Sequence, residues 1–434
     1  MKYRILYLAI LAVLAVGWSS TRVIAEPMTI TVDRIDDYST SSCDIAGDCS
    51  LRNAINAANL NDGADTIVFD PTLFSGGPQT TMLTYELPTI VDPVTITGPG
   101  SAMLTVNANA SFSAQRRVFN ISAETEPFTV NISGLTATGG YLVGDHGGAI
   151  YLGQQHILNL TDVAVTNSVV EDGYGGGIFV YHGELHLTDS MIIGNDALDN
   201  AEYGYGGGIG GYGTIALTNS EVSDNYADDS GGGIYLSSST GGTVMLTGAM
   251  VLSNSSDSSG GGLYVNTTGT TMLSGTVINS NYANSNGGGI YSVVLGSLDI
   301  SDSSISHNES VGTGGGLHLI GSAPTSLVSV SDSRIEDNES LDDYGGGIRF
   351  SGNRLEVTRS SISDNVASGD GGGIDIGGIY GTDKSVSISA STIAGNQSDG
   401  SGGGLRLYLS NSGNSVSLLN TTVSGNAADN NGGG

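Results

Sequence analysis

Basic residues are what this 434-residue chain most lacks: 13 Lys and Arg stand against 43 Asp and Glu, a net charge of −30. No Lys or Arg falls between Arg117 and Arg334. So long an acidic span repels phosphate backbones and anionic lipid, which excludes nucleic acid and direct electrostatic membrane binding as partners. Proline is scarce too, at 8 residues, although glycine reaches 68. With aliphatic residues plentiful, the chain is neither collagen-like nor simply disordered, and it can bury a core. Beyond the first 25 residues no stretch is long and apolar enough to span a bilayer.

The opening "MKYRILYLAILAVLAVGWSSTRVIA" has a basic start, an apolar stretch from Ile5 to Trp18, and small residues before a cut after Ala25. It reads as a secretory signal peptide over 1–25, so the mature chain is expected outside the cell or on a bacterial surface. An uncleaved anchor is the alternative, and the apolar stretch is short for the ~20 residues a span needs. The only two cysteines, Cys43 and Cys49, lie close together in an exported chain and read as a local disulfide. Without a nearby histidine pair, two thiolates leave a zinc site half built.

What the chain has in abundance is repetition. Glycine triplets or near-triplets begin at Gly147, Gly175, Gly206, Gly231, Gly260, Gly287, Gly314, Gly345, Gly371, Gly402 and Gly432, spaced 25 to 31 residues apart. An asparagine travels upstream of them: Asn167, Asn195, Asn225, Asn254, Asn281, Asn308, Asn338, Asn365, Asn396 and Asn426. In seven of the ten it lies six residues before the first glycine. Such a period marks a solenoid, whose units bury their apolar faces only by stacking.

Each unit reads as short strands. "GGGIYL" leads, after a polar turn, to "TVMLTG" and then to "VLSN", with alternating apolar positions and no helical spacing sustained over two turns. Three strands per coil describe a triangular parallel β-helix, and stacking at ~4.8 Å gives a rod ~50 Å long. Glycine suits the corners, where a Cβ would force a strained positive φ or strike the coil above. Asparagine carries both donor and acceptor, so equivalent residues can satisfy one another in a buried ladder. Asn254, Asn308, Asn338 and Asn396 also sit in N-x-Ser/Thr patterns, but a ladder position cannot carry a sugar in the folded protein.

The N-terminal region, 26–110, differs from the repeats of 111–434. "MTITV" and "DTIVF" read as strands, and Leu51, Ala54, Ile55 and Ala58 give a short amphipathic helix with Ser50 as N-cap and Asn61-Asp62-Gly63 as its end. Such a helix can cover the exposed end of the stacked core. The run "CSLRNAI", with "TITVDRIDDYSTSSCDIAGD" before it and "GADTIVF" after it, resembles the CSLREA domain that opens large exported bacterial surface proteins. Asn53 stands where that family has Glu, which removes half of a capping box with Ser50. "GGAI" at 147–150 and "ISDN" at 362–365 resemble the repeats of chlamydial polymorphic outer membrane proteins. These resemblances imply a right-handed parallel β-helix acting as an adhesin or structural passenger domain, a handedness that parallel crossovers also favour.

An enzyme is the second reading, because right-handed β-helices also carry pectate lyases and polygalacturonases. A polyuronate lyase needs a strong base beside bound calcium. The arginines of the later coils are Arg334, Arg349, Arg354, Arg359 and Arg406, with Asp337, Asp342 and Asp343 near three of them in sequence; solvated surface charge is the plainer account. A glycosidase pair drawn from Asp337, Asp364, Asp370 and Asp375 is possible in principle, yet every unit carries corner acids and none is marked out. The six histidines are dispersed. No cofactor is implied, beyond calcium settling weakly among corner aspartates. Variable turns such as "NDALDNAEYGYGGG" instead point to binding along one face, with Tyr203, Tyr205 and Tyr212 able to stack on sugars of an extracellular glycan or cell-surface partner. The sequence ends at Gly434 inside a repeat, so a further cap or anchor is expected beyond it.

Overall fold

The computed structural model describes residues 26–434 except 39–42, 44–47, 124–125, 202, 322, 324, 380–383 and 410–413. The expected leader, 1–25, lies outside the described residues. The chain winds into a right-handed parallel β-helix whose strands belong to one sheet of 25 strands, two of 11 and one of two.

One coil shows the plan: Ile290–Val294, Ser297–Ser301, Ser304–Ser306 and Glu309–Ser310. Each strand pairs in parallel with its counterpart one coil on, setting Ile290 beside Leu317, Leu298 beside Val328, Ile305 beside Ile335 and Ser310 beside Ser340. Like therefore stacks on like, and the inward residues Ile290, Leu298, Ile300 and Ile305 are at most 1 % exposed. Each such aliphatic side chain contributes roughly 1.5–3 kcal/mol by leaving water. The inward positions of the shortest strands are instead small, as at Ala283, Ser310, Ser340 and Ala367.

Four strand segments per coil replace the expected three. The second side is bent, and its two halves share the 25-stranded sheet. The bend comes at one left-handed residue, such as Asp302 (φ 50°) or Asp332 (φ 50°). The next residue turns inward as a buried hydroxyl. Its oxygen accepts the main-chain N–H of the equivalent residue one coil back, from Ser303 to Ser333 at 3.1 Å and from Ser333 to Ser360 at 3.2 Å. This serine ladder pins the bend, because it satisfies N–H groups that the sheet leaves free there.

The asparagine ladder holds the next corner. From Asn195 to Asn426 each amide nitrogen donates to the Oδ1 of the asparagine one coil on, at 2.9–3.0 Å. Asn167 does not belong to it. That residue is exposed in the left-handed region (φ 48°), and the buried Ser168 takes the ladder place, its N–H donating to Asn195 Oδ1.

At the corners the nine first glycines from Gly175 to Gly402 all adopt φ of 68–76°. The second and third have no room for a Cβ; one on Gly289 would come within 2.6 Å of the Gly316 carbonyl oxygen.

At the N-terminus, the helix Leu51–Leu60 buries Leu51, Ala54, Ile55 and Ala58 and contacts the strands Thr29–Val32 and Asp65–Phe69. Ser50 caps it, accepting the Asn53 N–H at 3.3 Å. Asn53 turns its own amide to the Asp48 carbonyl at 3.2 Å. Cys43 and Cys49 are joined in a disulfide just before the helix. Parallel stacking already runs through this region, since Asp65–Phe69 pairs with both Thr29–Val32 and Val94–Thr97.

Candidate functional site

The strand that follows each glycine triplet sends its first and third residues inward and its second outward. Register therefore lines up an outward column: Asn120, Tyr151, Phe179, Gly210, Tyr235, Tyr264, Tyr291, His318, Arg349, Asp375 and Arg406. The column has three chemically distinct stretches.

In the middle, rings stack on rings. Tyr235, Tyr264 and Tyr291 lie 5.0–5.1 Å apart with interplanar angles of 16° and 11°, and His318 continues them at 5.0 Å. Each ring covers its neighbour, so these faces are used up in packing. Burial, with the nearby Arg349 guanidinium, pushes the His318 imidazole down to about 4, which keeps it neutral.

Toward the C-terminus the column turns ionic. Asp375, fully buried, is held between Arg349 and Arg406, with Arg406 Nη1 at 3.1 Å. Arg406 also reaches Asp370 at 3.2 Å. Arg354 and Arg359 lie elsewhere, paired with Glu356 and Asp332. Arg349 and Arg406 thus share Asp375, while Arg354 and Arg359 pair apart from them, so Arg349, Arg354 and Arg359 form no common patch. Asp337 and Asp364 occupy left-handed turn positions just before ladder asparagines, away from Asp370 and Asp375. Of the four candidate carboxylates, Asp370 and Asp375 thus come together, both ion-paired with the Arg406 guanidinium. Among the described residues no group of three or more His, Cys, Asp or Glu is arranged to hold a metal ion.

On the N-terminal side the regular stack breaks at Gly210, whose backbone packs so closely on Gly175 that a Cβ would meet its nitrogen at 2.6 Å. Here the solenoid gains its two-stranded sheet, Gly173–Tyr174 with Gly204–Tyr205, built from the long turn ahead of Gly206. Aromatic side chains gather around it, packed on Phe179 and Tyr235 of the column. Tyr174 stacks on Tyr205 at 5.2 Å and on Tyr203 at 5.7 Å, and its ring lies 5.6 Å from that of Tyr212 at 58°. Burial, with the neighbouring Tyr212 hydroxyl, raises the Tyr174 pKa. Tyr212 meets Tyr181 at 81° and lies 5.7 Å from His182, while His146 packs edge-on to Tyr174. Tyr181 and Tyr203 stay 39 % and 42 % exposed. Next to His146, Arg117 bridges Glu86 and Asp145, and burial raises the Glu86 pKa.

Sequence reasoning named Tyr203, Tyr205 and Tyr212 and missed Tyr174, Tyr181, His182 and His146, which are up to 66 residues away in the chain. The signal that would have found them is register. Tyr174 and Tyr205 each stand just before a glycine triplet, and His146 stands just before the pair at Gly147.

No family model matches the chain, and no curated protein does. Among solved structures, the A-module of the Azotobacter vinelandii mannuronan C-5 epimerase AlgE6 is similar at 12 % identity and a TM-score of 0.42, over 90 % of this chain and 97 % of that one.

Proposed function

We propose that the protein is an exported, cell-surface β-helix rod that works by binding, as an adhesin or structural passenger, and not by catalysing a reaction. One observation carries this reading: where the uniform column breaks, the side chains that gather are partly exposed aromatics, a contact surface on a rigid scaffold. The two candidate acids that do come together, Asp370 and Asp375, are both ion-paired with Arg406, and the buried Asp375 is held by Arg349 as well. Export rests on the leader-like opening, and N-terminal sequencing of secreted material should begin at Glu26. The binding reading is tested by immobilising the chain and passing extracellular polysaccharides and intact cells over it, with reducing ends and unsaturated products assayed in parallel. Saturable retention without product is the expected result. Turnover of any polysaccharide would establish the enzyme instead.

A further inference from the structure

We propose that the perpendicular rings of Tyr181 and Tyr212, with His182 and Tyr203 beside them, take a pyranose unit of an uncharged glycan. The inference rests on the binding-rod reading and names a ligand class for it.

Ring availability comes first. The tyrosines of the regular column are covered on both sides, Tyr264 by Tyr235 and Tyr291, Tyr291 also by His318, and Tyr235 also by Tyr205, at 4.7–5.1 Å. Tyr181 and Tyr203 keep about two-fifths of their surface open, and the 81° between Tyr181 and Tyr212 makes a corner with a floor and a wall. A pyranose has one face of C–H groups that lies on such a floor, and its edge hydroxyls then reach polar groups at the wall.

The corner is also built in advance. Tyr174, whose ring lies 5.2–5.7 Å from those of Tyr203, Tyr205 and Tyr212, packs against the exposed ring and the wall and holds them in place. Tyrosine has only two side-chain torsions to fix, so a ligand meets a surface whose ordering is already complete.

Charge selects the class. Arg117, beside His146 in the same cluster, is paired with both Glu86 and Asp145, and Asp199 and Asp229 stand close enough to Tyr205 to raise its pKa beyond the effect of burial. Polyuronates and sulfated glycans are repelled by such a site, whereas the hydroxyls of a neutral sugar can donate to its carboxylates.

Native gels containing β-glucan, xylan or mannan (uncharged), polygalacturonate (anionic) or chitosan (cationic) provide the test, on the full chain and on Tyr181→Ala, Tyr212→Ala and Tyr282→Ala. Tyr282 lies on another side of the coil and serves as control. Retardation by at least one uncharged glycan is expected, weakened about tenfold in Tyr181→Ala, the scale of one lost stacking ring, and unchanged in Tyr282→Ala. Tyr181 is exposed, so its variant keeps the fold and answers even if Tyr212→Ala does not. Retardation only by a charged glycan, by none, or equally for wild type and Tyr181→Ala overturns the proposal. Saturable retention on cells that survives Tyr181→Ala leaves the binding rod standing and removes only this site.

Discussion

The amide of Asn308 lies hard against the place a Cβ on Gly289 would take: a methyl there would come within 3.1 Å of Asn308 Cγ. Gly262 and Asn281, Gly316 and Asn338, and Gly347 and Asn365 stand in the same relation, at 3.0–3.1 Å. The two marks of the repeat are therefore halves of one corner. The third glycine leaves a slot, and the asparagine one coil on fills it.

Removing either half should be costly, and removing both should cost less than the sum. Asn308 donates to the Ile278 carbonyl at 3.0 Å and to Asn338 Oδ1 at 2.9 Å, and accepts the N–H and the amide of Asn281. Asn308→Ala strands these groups and should lower stability by about 3 kcal/mol. Gly289→Ala should destabilise through its clash with the Gly316 carbonyl and the Asn308 amide. In the double variant the second clash is gone, so urea denaturation should show a positive coupling of about 1 kcal/mol. Gly76→Ala, with nothing within 4 Å of the added methyl, should shift stability by no more than ~0.5 kcal/mol. Strict additivity at 289 and 308 would mean that slot and amide are independent.

His318 should make stability fall in mild acid. Its folded pKa of about 4 lies below the ordinary 6.5, so between those values the unfolded chain takes up a proton that the folded chain refuses. This contribution is complete above about pH 6.5, declines by about 3 kcal/mol as pH falls to about 4, and is level below that. His318→Gln removes the titration while leaving a side chain able to meet Thr313, the present partner of Nδ1. Its denaturation profile should lose that slope; a slope equal to the wild type's would place the titrating group elsewhere.

The disulfide acts on a short loop ahead of the capping helix. Chain-entropy arithmetic for so short a loop gives about 2 kcal/mol. Cys43→Ser with Cys49→Ser should raise hydrogen exchange in the helix Leu51–Leu60 and leave the coils after 130 unchanged, since a solenoid transmits stability only to its neighbours. Faster exchange throughout the rod would show that the cap governs the whole stack.

The coil, the corner glycines and most of the asparagine ladder were legible in the sequence, because stacking makes each coil obey the same local rule. What escaped did so for physical reasons. The serine ladder hides in "SDSSIS" and "SDSRIE", where the left-handed Asp302 or Asp332 and the inward Ser303 or Ser333 look like any polar turn until register aligns them. Asn167 deceived by spacing: the ladder needs a residue whose side chain points inward, and one position of slip turns it to solvent. The aromatic corner was half visible, since its members come from coils whose turns differ in length, and only the folded register joins Tyr181 to Tyr212.

Asp375 gives the sharpest test of what the ionic end of the column is for. Its carboxylate is fully buried and meets guanidinium groups of Arg349 and Arg406, from the coils on either side. If this triad is a packing device, its worth lies in mutual neutralisation, and breaking it should differ from replacing it. Asp375→Ala leaves two cations facing each other across a cavity and should cost about 3–5 kcal/mol, whereas Arg349→Met, Asp375→Leu and Arg406→Met together should be near neutral. Recovery of wild-type stability in the triple variant, with glycan retention intact, would assign the column's ionic end to the scaffold. A stable triple variant that no longer binds would extend the contact surface from the aromatic corner down to Arg406.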